Sequence, residues 1–231
     1  MNKTASAAAA VSLITEGTTV MVGGFGVPGT PFALIDRLLA QGTQHLVLIK
    51  NEANIAGMGV SKLIEAGRVD HLITSHLGLN PAALDLMNSG RITVEFNPQG
   101  ILAERIRAGG AGLAGFLTDI GIDTELNQGK RRFRLNGADY LVETALRADV
   151  ALIHASCGDI FGNLVYAKGA RNFNPAMATA ADVVIAEVER FVDAGGIPPD
   201  QVHTPGAFVD HVVPLAELTD EYGILEAYVF G

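Results

Sequence analysis

The sequence predicts an α/β fold with an open, mainly parallel, doubly wound sheet and an added β-hairpin or meander. In the first half, short apolar runs alternate with amphipathic segments, which is typical of parallel βαβ units with right-handed crossovers. The apolar runs are rich in Val, Ile and Leu, as expected for strands buried on both faces. The pattern changes near residue 116, and "GKRRFRLNGADYLVETAL" then alternates around an Asn136-Gly137 turn signal.

The first half divides into elements in chain order. "MNKTASAAAAVSLITEG" predicts a first helix, and the predicted strands are "TTVMVGGF", "HLVLIK", "VDHLITSH" and "ITVEFNPQG". The helices between and after these strands are "PFALIDRLLAQG", "VSKLIEAG", "PAALDLMNSG" and "GILAERIRAGG". Glycines suit their ends, and Pro81 suits a first helical position. For the second helix of the chain, we predict Thr30 as N-cap and Pro31 as first residue.

The second half is less regular. "DVALIHAS" predicts another core strand, "GNLVYAKGARNFN" an irregular stretch, and "PAMATAADVVIAEVERFV" a helix that runs into a strand. The turn-rich "GIPPDQVHTPGAFVDHVV" contains a last strand. Since neither a repeat nor a low-complexity linker is present, residues 1–231 are expected to form one domain.

Composition narrows the classes of function. The 231 residues are 48% hydrophobic and 18% charged, with a formal charge of −9 and no basic block, so neither nucleic acid nor an anionic membrane is an expected partner. The single cysteine, Cys157, gives no disulfide framework, and no metal site is predicted. With neither a signal-peptide pattern nor a transmembrane-length apolar run, the expected location is the cytoplasm.

A glycine-rich loop follows the first strand. Gly24-x-Gly26-x-x-Gly29 fits the dinucleotide fingerprint, and Glu52 lies near the position of its ribose-binding acid. A dinucleotide fold, however, needs the helix to begin within the fingerprint, whereas here it is predicted to begin after the glycines. The loop therefore leaves open a nicotinamide-dependent oxidoreductase, a phosphate, carboxylate or oxyanion site, and a tight turn without a ligand.

Longer segments narrow this choice. "VGGFGVPGTP" resembles the first signature of the family I coenzyme A transferases of the 3-oxoacid type, Gly-Gly-Phe-x-x-x-Gly-x-Pro. "PQGILAERIRAGGAGLAGFLT", "ADVALIHA", "GNLVYAKGARNFNPAMATAAD" and "HTPGAFVDHVV" resemble later blocks of that family. The resemblance covers nearly the whole chain and matches the A, or alpha, subunit.

The resemblance implies half of an enzyme. In this family the B subunit supplies the catalytic glutamate in a Ser-Glu-Asn-Gly motif, and the present chain contains no such motif. The implied assembly is α2β2, and the implied reaction is a ping-pong transfer through a glutamyl–CoA thioester. Coenzyme A and acyl-CoA are then substrates, and no tightly bound cofactor is expected.

The resemblance also implies the site residues. Asn51 and Gln99 are the expected contacts to the acyl group and its oxyanion, with no catalytic nucleophile in this chain. Contact with CoA is expected from the loop residues Gly24, Phe25, Gly26, Val27, Pro28, Gly29 and Thr30. A bulky residue at Gly26 or Gly29 is expected to impair transfer more than stability.

Glu52, Asp119 and Asp123 depart from the family pattern and leave the substrate open. If Glu52 lines the acid pocket, it would disfavour a second carboxylate such as that of succinate; if it is solvated, it has no such effect. Acetoacetate, butyrate, acetate, succinate and 3-oxoadipate all remain candidates. A non-enzymatic carboxylate- or phosphate-binding module is a further alternative.

Overall fold

The computed structural model describes residues 2–223. Its helices are α1 Ala7–Val11, α2 Phe32–Gln41, α3 Val60–Glu65, α4 Pro81–Asn88, α5 Gln99–Gly110 and α6 Asn174–Ala180. Its strands are β1 Thr19–Val22, β2 Leu46–Ile49, β3 Val69–Thr74, β4 Thr93–Phe96, β5 Gly115–Thr118, β6 Arg132–Leu135, β7 Ala138–Thr144, β8 Ala148–Asp159, β9 Leu164–Val165, β10 Ala181–Val192 and β11 His211–Pro214. Short 3-10 helices span Glu125–Asn127, Lys168–Arg171, Pro199–Gln201, Gly206–Phe208 and Asp220–Gly223.

The main sheet has the strand order β11-β10-β8-β1-β2-β3-β4. All neighbours along this path are parallel, and the short β9 pairs with β8 in the antiparallel direction. Alternate strand residues face opposite apolar layers: Val20 and Val22 pack on the side of α1 to α4, and Met21 on the side of α5 and α6. Helices cover both faces of the sheet, which confirms the doubly wound prediction.

A second, antiparallel sheet has the order β5-β7-β6. Asn136 and Gly137 join β6 to β7 with φ values of 50° and 82°, as a tight type I′ hairpin requires. This confirms the predicted hairpin, and β5 extends it to three strands. The small sheet contacts α5.

Two predicted helix boundaries, at Gly42 and Pro81, are confirmed, and one predicted helix cap, at Thr30, is wrong. Gly42 ends α2 in a left-handed conformation, and Pro81 begins α4 after an Asn80 cap, as predicted for the glycine and the proline. The prediction of Thr30 as N-cap of α2 is wrong, because Pro31 occupies the cap and α2 begins at Phe32. The Thr30 hydroxyl instead donates to the carbonyl of Gly26 at 2.7 Å.

The order of the strands places a crevice beside β1. The chain leaves β1 for α2 on one face of the sheet, whereas the connection from β8 returns through α6 on the other face. In open α/β sheets, ligands bind at such a switch point, outside the carboxyl ends of the strands. No helix within residues 2–223 is both long and apolar enough to cross a membrane.

Candidate functional site

Residues 23–30, called here the glycine loop, lie at the carboxyl end of β1. Gly24, Gly26 and Gly29 have φ values of 97°, 61° and 75°, which side chains disfavour. A Cβ atom on Gly24 would lie 2.2 Å from the Thr30 hydroxyl, and one on Gly29 would lie 2.5 Å from Asn174 Nδ2. A Cβ atom on Gly26 would meet nothing within 4 Å. Gly24 and Gly29 therefore allow close packing, and Gly26 presents open backbone.

The carbonyl groups of the loop are held by side chains. Four amide or ammonium groups donate to them: Lys50 to Gly23 at 3.0 Å, Asn54 to Gly26 at 3.0 Å, Asn172 to Pro28 at 2.9 Å and Asn174 to Gly29 at 3.1 Å. Within residues 2–223, no acceptor is bound by the backbone N–H groups of Gly24, Gly26, Val27 and Gly29. Gly24 and Gly29 are buried, whereas Gly26 and Val27 are half-buried. The engaged carbonyls and the accessible N–H groups of Gly26 and Val27 make the loop suited to an anion or a developing oxyanion.

Asn51 follows β2 at the same edge of the sheet. Its side chain is fully buried, and neither Oδ1 nor Nδ2 has a hydrogen-bond partner among the described residues. Leaving a buried polar group unpaired costs about 1–3 kcal/mol, so the Asn51 amide calls for a partner such as a ligand or an ordered water. Its own backbone is fixed, because the Asn51 carbonyl accepts from the Ser75 N–H at 3.1 Å and from the Ser75 hydroxyl at 2.6 Å.

Gln99 begins α5, after β4, and its side chain is exposed. Its amide contacts the Ser75 hydroxyl at 3.3 Å. In the structure Gln99 Oε1 faces this hydroxyl, but the hydroxyl gives its one hydrogen to the Asn51 carbonyl. Turning the amide over, so that its NH2 group donates to Ser75 Oγ, satisfies both groups and leaves a second N–H free. One serine thus links the two predicted residues. Sequence analysis missed Ser75, whose signal was its place directly after a predicted strand.

Glu52 is neither solvated nor alone. It is 5% exposed, accepts from Asn54 Nδ2 at 3.1 Å, and lies 3.9 Å from the ammonium of Lys50. Burial lowers the pKa of Lys50 to about 8, although the nearby Glu52 carboxylate opposes that shift. Because Glu52 is buried, its solvated interpretation is wrong. Asp119 and Asp123, in contrast, are exposed in the loop that follows β5 of the small sheet.

The remaining loop residues differ in exposure. Phe25 is 45% exposed, whereas Val27 and Pro28 are half-buried. Thr30 is buried, and its hydroxyl is engaged by Gly26 and Lys50. The surface that the loop offers to a ligand thus runs from Phe25 to Pro28.

A charged cluster lies behind the loop. His154 of β8 is buried between Glu187 and Glu189 of β10, at 2.9 Å from each carboxylate. Burial lowers the pKa of His154, but the hydrogen bonds to the two carboxylates outweigh it and raise the pKa to about 9. The Tyr222 ring lies 4.8 Å from the imidazole, and its hydroxyl donates to the Thr30 carbonyl. This cluster supports the loop from the side of β8 and β10.

Residues 2–223 contain no group of three or more His, Cys, Asp or Glu side chains placed to hold a metal ion. The site is instead made of amides and backbone N–H groups. Such neutral donors stabilise negative charge on oxygen without adding a competing charge.

Comparisons with known proteins agree on one family. A profile described as "Coenzyme A transferase" matches residues 4–215. The alpha subunit of acetate CoA-transferase from Escherichia coli K12 is 46% identical over 204 residues, which cover 88% of this chain and 93% of that protein. The A-type subunit of succinyl-CoA:3-ketoacid coenzyme A transferase from Xanthomonas campestris pv. campestris B100 is 46% identical over 206 residues, covering 89% and 85%.

A solved structure has the same fold. The apoenzyme of an acyl-CoA transferase from Escherichia coli O157:H7 superposes with a TM-score of 0.82 at 25% identity. The match covers 94% of this chain and 48% of that one, so this chain spans about half the length of that transferase.

Proposed function

Because the chain belongs to the coenzyme A transferase family, we propose that it is the A subunit of a heteromeric 3-oxoacid-type CoA transferase. This enzyme moves CoA between a short-chain acyl-CoA and a carboxylic acid such as acetoacetate. The names of the relatives support the assignment, since both are alpha or A subunits that this chain matches over most of their length. A nicotinamide-dependent oxidoreductase has no support in these relatives.

One observation carries the proposal: the free N–H groups of the glycine loop and the unpaired Asn51 amide lie at the same edge of the sheet. A thioester carbonyl becomes an oxyanion when it is attacked, and the second substrate is a carboxylate. Both need hydrogen-bond donors that carry no negative charge. Asn51, Gln99 and residues 24–30 are the proposed contacts.

The proposed reaction proceeds in two halves. A glutamate carboxylate supplied by the partner polypeptide attacks the acyl-CoA carbonyl carbon, the C–S bond breaks, and CoA leaves as a thiolate while a mixed acyl–glutamyl anhydride remains. The thiolate attacks the glutamyl carbonyl, which releases the first carboxylate and leaves a glutamyl–CoA thioester. The second carboxylic acid takes the CoA by the reverse steps. A carboxylate is a weak nucleophile, so binding energy from the long CoA molecule must be used in the transition state.

Two features support a glutamate from another chain. The sequence has no Ser-Glu-Asn-Gly motif. Glu52, which shares the Asn54 amide with the Gly26 carbonyl of the glycine loop, is buried and already engaged by Asn54 and Lys50, which suits a structural anion better than a nucleophile. We therefore propose an assembly with the B subunit of the same transferase, with α2β2 as its stoichiometry.

The position of Glu52 also bears on the substrate. Its carboxylate is directed to Lys50 and Asn54, so its charge is partly balanced within the protein. The reason to disfavour a second carboxylate is thereby removed, and succinate remains a candidate beside acetoacetate, acetate, butyrate and 3-oxoadipate. A panel of these acids with the assembled enzyme determines the pair.

Reconstitution tests the proposal. The purified chain alone is expected to transfer no CoA from acetyl-CoA or succinyl-CoA to acetoacetate, and to gain activity once the B subunit is added. When the assembled enzyme is incubated with acyl-CoA, mass spectrometry should find the CoA adduct on the partner's glutamate. Turnover by the lone chain, an adduct on this chain, or binding of NADH without binding of CoA would overturn the proposal.

A further inference from the structure

We propose that Lys50 is a positioning residue for CoA transfer, which holds the glycine loop from beneath so that its carbonyls face inward and its N–H groups face the substrate. This inference rests on the proposed function and adds a residue that the resemblance does not assign. Lys50 is the residue directly after β2, and its side chain is fully buried.

Lys50 contacts both ends of the loop. Its ammonium donates to the Gly23 carbonyl at 3.0 Å and to the Thr30 hydroxyl at 3.1 Å. The Thr30 hydroxyl donates in turn to the Gly26 carbonyl at 2.7 Å. A single cation thus fixes the first residue, the last residue and, through Thr30, the middle of the loop.

The contacts form a closed ring. Asn54 Nδ2 donates to the same Gly26 carbonyl at 3.0 Å and to Glu52 Oε1 at 3.1 Å, and that oxygen lies 3.9 Å from the Lys50 ammonium. Every donor and acceptor of the ring belongs to the loop or to the segment after β2. Removal of Lys50 frees the Gly23 carbonyl, which shares a peptide unit with the Gly24 N–H. It also leaves the Thr30 hydroxyl, which holds the Gly26 carbonyl and hence orients the Val27 N–H, without its buried donor.

Stability does not explain a lysine at this position. Its pKa of about 8 means that burial disfavours the ammonium, and Glu52 is the charged side chain that opposes this effect. A buried ion pair is often replaced by apolar side chains without loss of stability. An apolar residue would fill the space under the loop but could not bind the two oxygen atoms.

The test compares Lys50→Met with the double variant Lys50→Met, Glu52→Gln in the assembled enzyme. In Lys50→Met, we expect kcat to fall about 10- to 100-fold, while KM for acyl-CoA stays within about threefold of wild type. Misdirected N–H groups reduce the stabilisation of the transition state more than the binding of the substrate. Lys50→Met also leaves Glu52 buried without its cation, so Tm should fall. The added Glu52→Gln should restore part of the Tm but not the turnover.

Hydrogen exchange and a control variant distinguish a positioning role of Lys50 from a general loss of stability. The Thr30 backbone N–H, which donates to Val27, should lose protection from hydrogen exchange in Lys50→Met whatever the substrate is. Lys130→Met is the matched control, because Lys130 pairs with Glu143 in the region of the small sheet, and this variant should keep full turnover and normal exchange at Thr30.

The inference is overturned if Lys50→Met turns over within twofold of wild type, if turnover recovers in parallel with Tm in the double variant, or if exchange at Thr30 is unchanged. A wild-type assembly that transfers no CoA would instead contradict the proposed function, and the exchange result would still report on the ring.

Discussion

Replacing Gly26 by alanine tests whether the open backbone of the glycine loop is where the thioester binds. The new methyl group would project into free space, since no protein atom lies within 4 Å of its position. We expect the fold to tolerate the change and catalysis to suffer, because the methyl would occupy the space that the acyl-CoA carbonyl needs near the N–H groups.

The cost to stability can be worked from the backbone. Gly26 has a φ of 61°, and an L-residue in that conformation costs roughly 1–2 kcal/mol. For a chain of this size, that corresponds to a decrease in Tm of about 2–8 °C. Gly29→Ala adds a clash, because its Cβ would lie 2.5 Å from Asn174 Nδ2 and 2.6 Å from the Ala170 carbonyl oxygen. Overpacking adds about 1–3 kcal/mol, so Gly29→Ala should affect stability first, in contrast to the expectation from sequence.

Gly17→Ala is the matched control. Gly17 has a φ of 78° and also has nothing within 4 Å of an added Cβ, but it precedes β1 and so lies at the opposite edge of the sheet. Thermal unfolding and steady-state CoA transfer are measured for the assembled enzyme carrying each variant. Gly17→Ala and Gly26→Ala should lose similar Tm, whereas only Gly26→Ala should lose at least tenfold in kcat/KM.

Equal turnover of Gly17→Ala and Gly26→Ala would refute the reasoning, because the two variants share the same backbone cost and differ only in location. A fall in Tm for Gly26→Ala as large as that for Gly29→Ala would also contradict it, since the space around Gly26 would then not be open.

Three further predictions concern the groups around the loop. Gln99→Ala should lower kcat about 100-fold, as loss of an oxyanion donor does. Its Tm should be unchanged because the side chain is exposed, and unaltered kinetics would remove Gln99 from the site. Asn51→Leu removes two buried, unpaired polar atoms, so we expect Tm to stay or rise while turnover is lost, and a clear drop in Tm would show that the amide is structural. The pKa of His154 is raised from 6.5 to about 9 by Glu187 and Glu189, so its stabilisation is complete below pH 6.5 and is lost as pH rises through 9. Above pH 6.5, the unfolding free energy should fall by up to about 1.4 kcal/mol per pH unit. This slope should flatten toward pH 8, where loss of the Lys50 proton acts in the opposite direction; a His154→Gln variant with the same slope would contradict the role of His154.

Much of the fold was predictable because it is encoded locally. The Val- and Ile-rich runs, the glycine that ends α2 and the Asn136-Gly137 turn each report on a few neighbouring residues, and the structure has the strands, the helix end and the hairpin there. The error at Thr30 arose because a hydroxyl can cap a helix or bind a carbonyl four residues earlier, and only the folded loop selects between them.

The sequence alone determined the strand–helix alternation, the glycine loop and the family resemblance, because all three are written in contiguous residues. Tertiary structure decided which side chains surround the loop. Lys50 is the last residue of a predicted strand, and the sequence leaves Glu52 either in the acid pocket or in solvent, yet both are buried beside the loop. Ser75 joins Asn51 to Gln99 across three strand ends. Such contacts depend on the parallel register of neighbouring strands, which brings residues more than twenty positions apart to one edge, and no local pattern of residues specifies that distance.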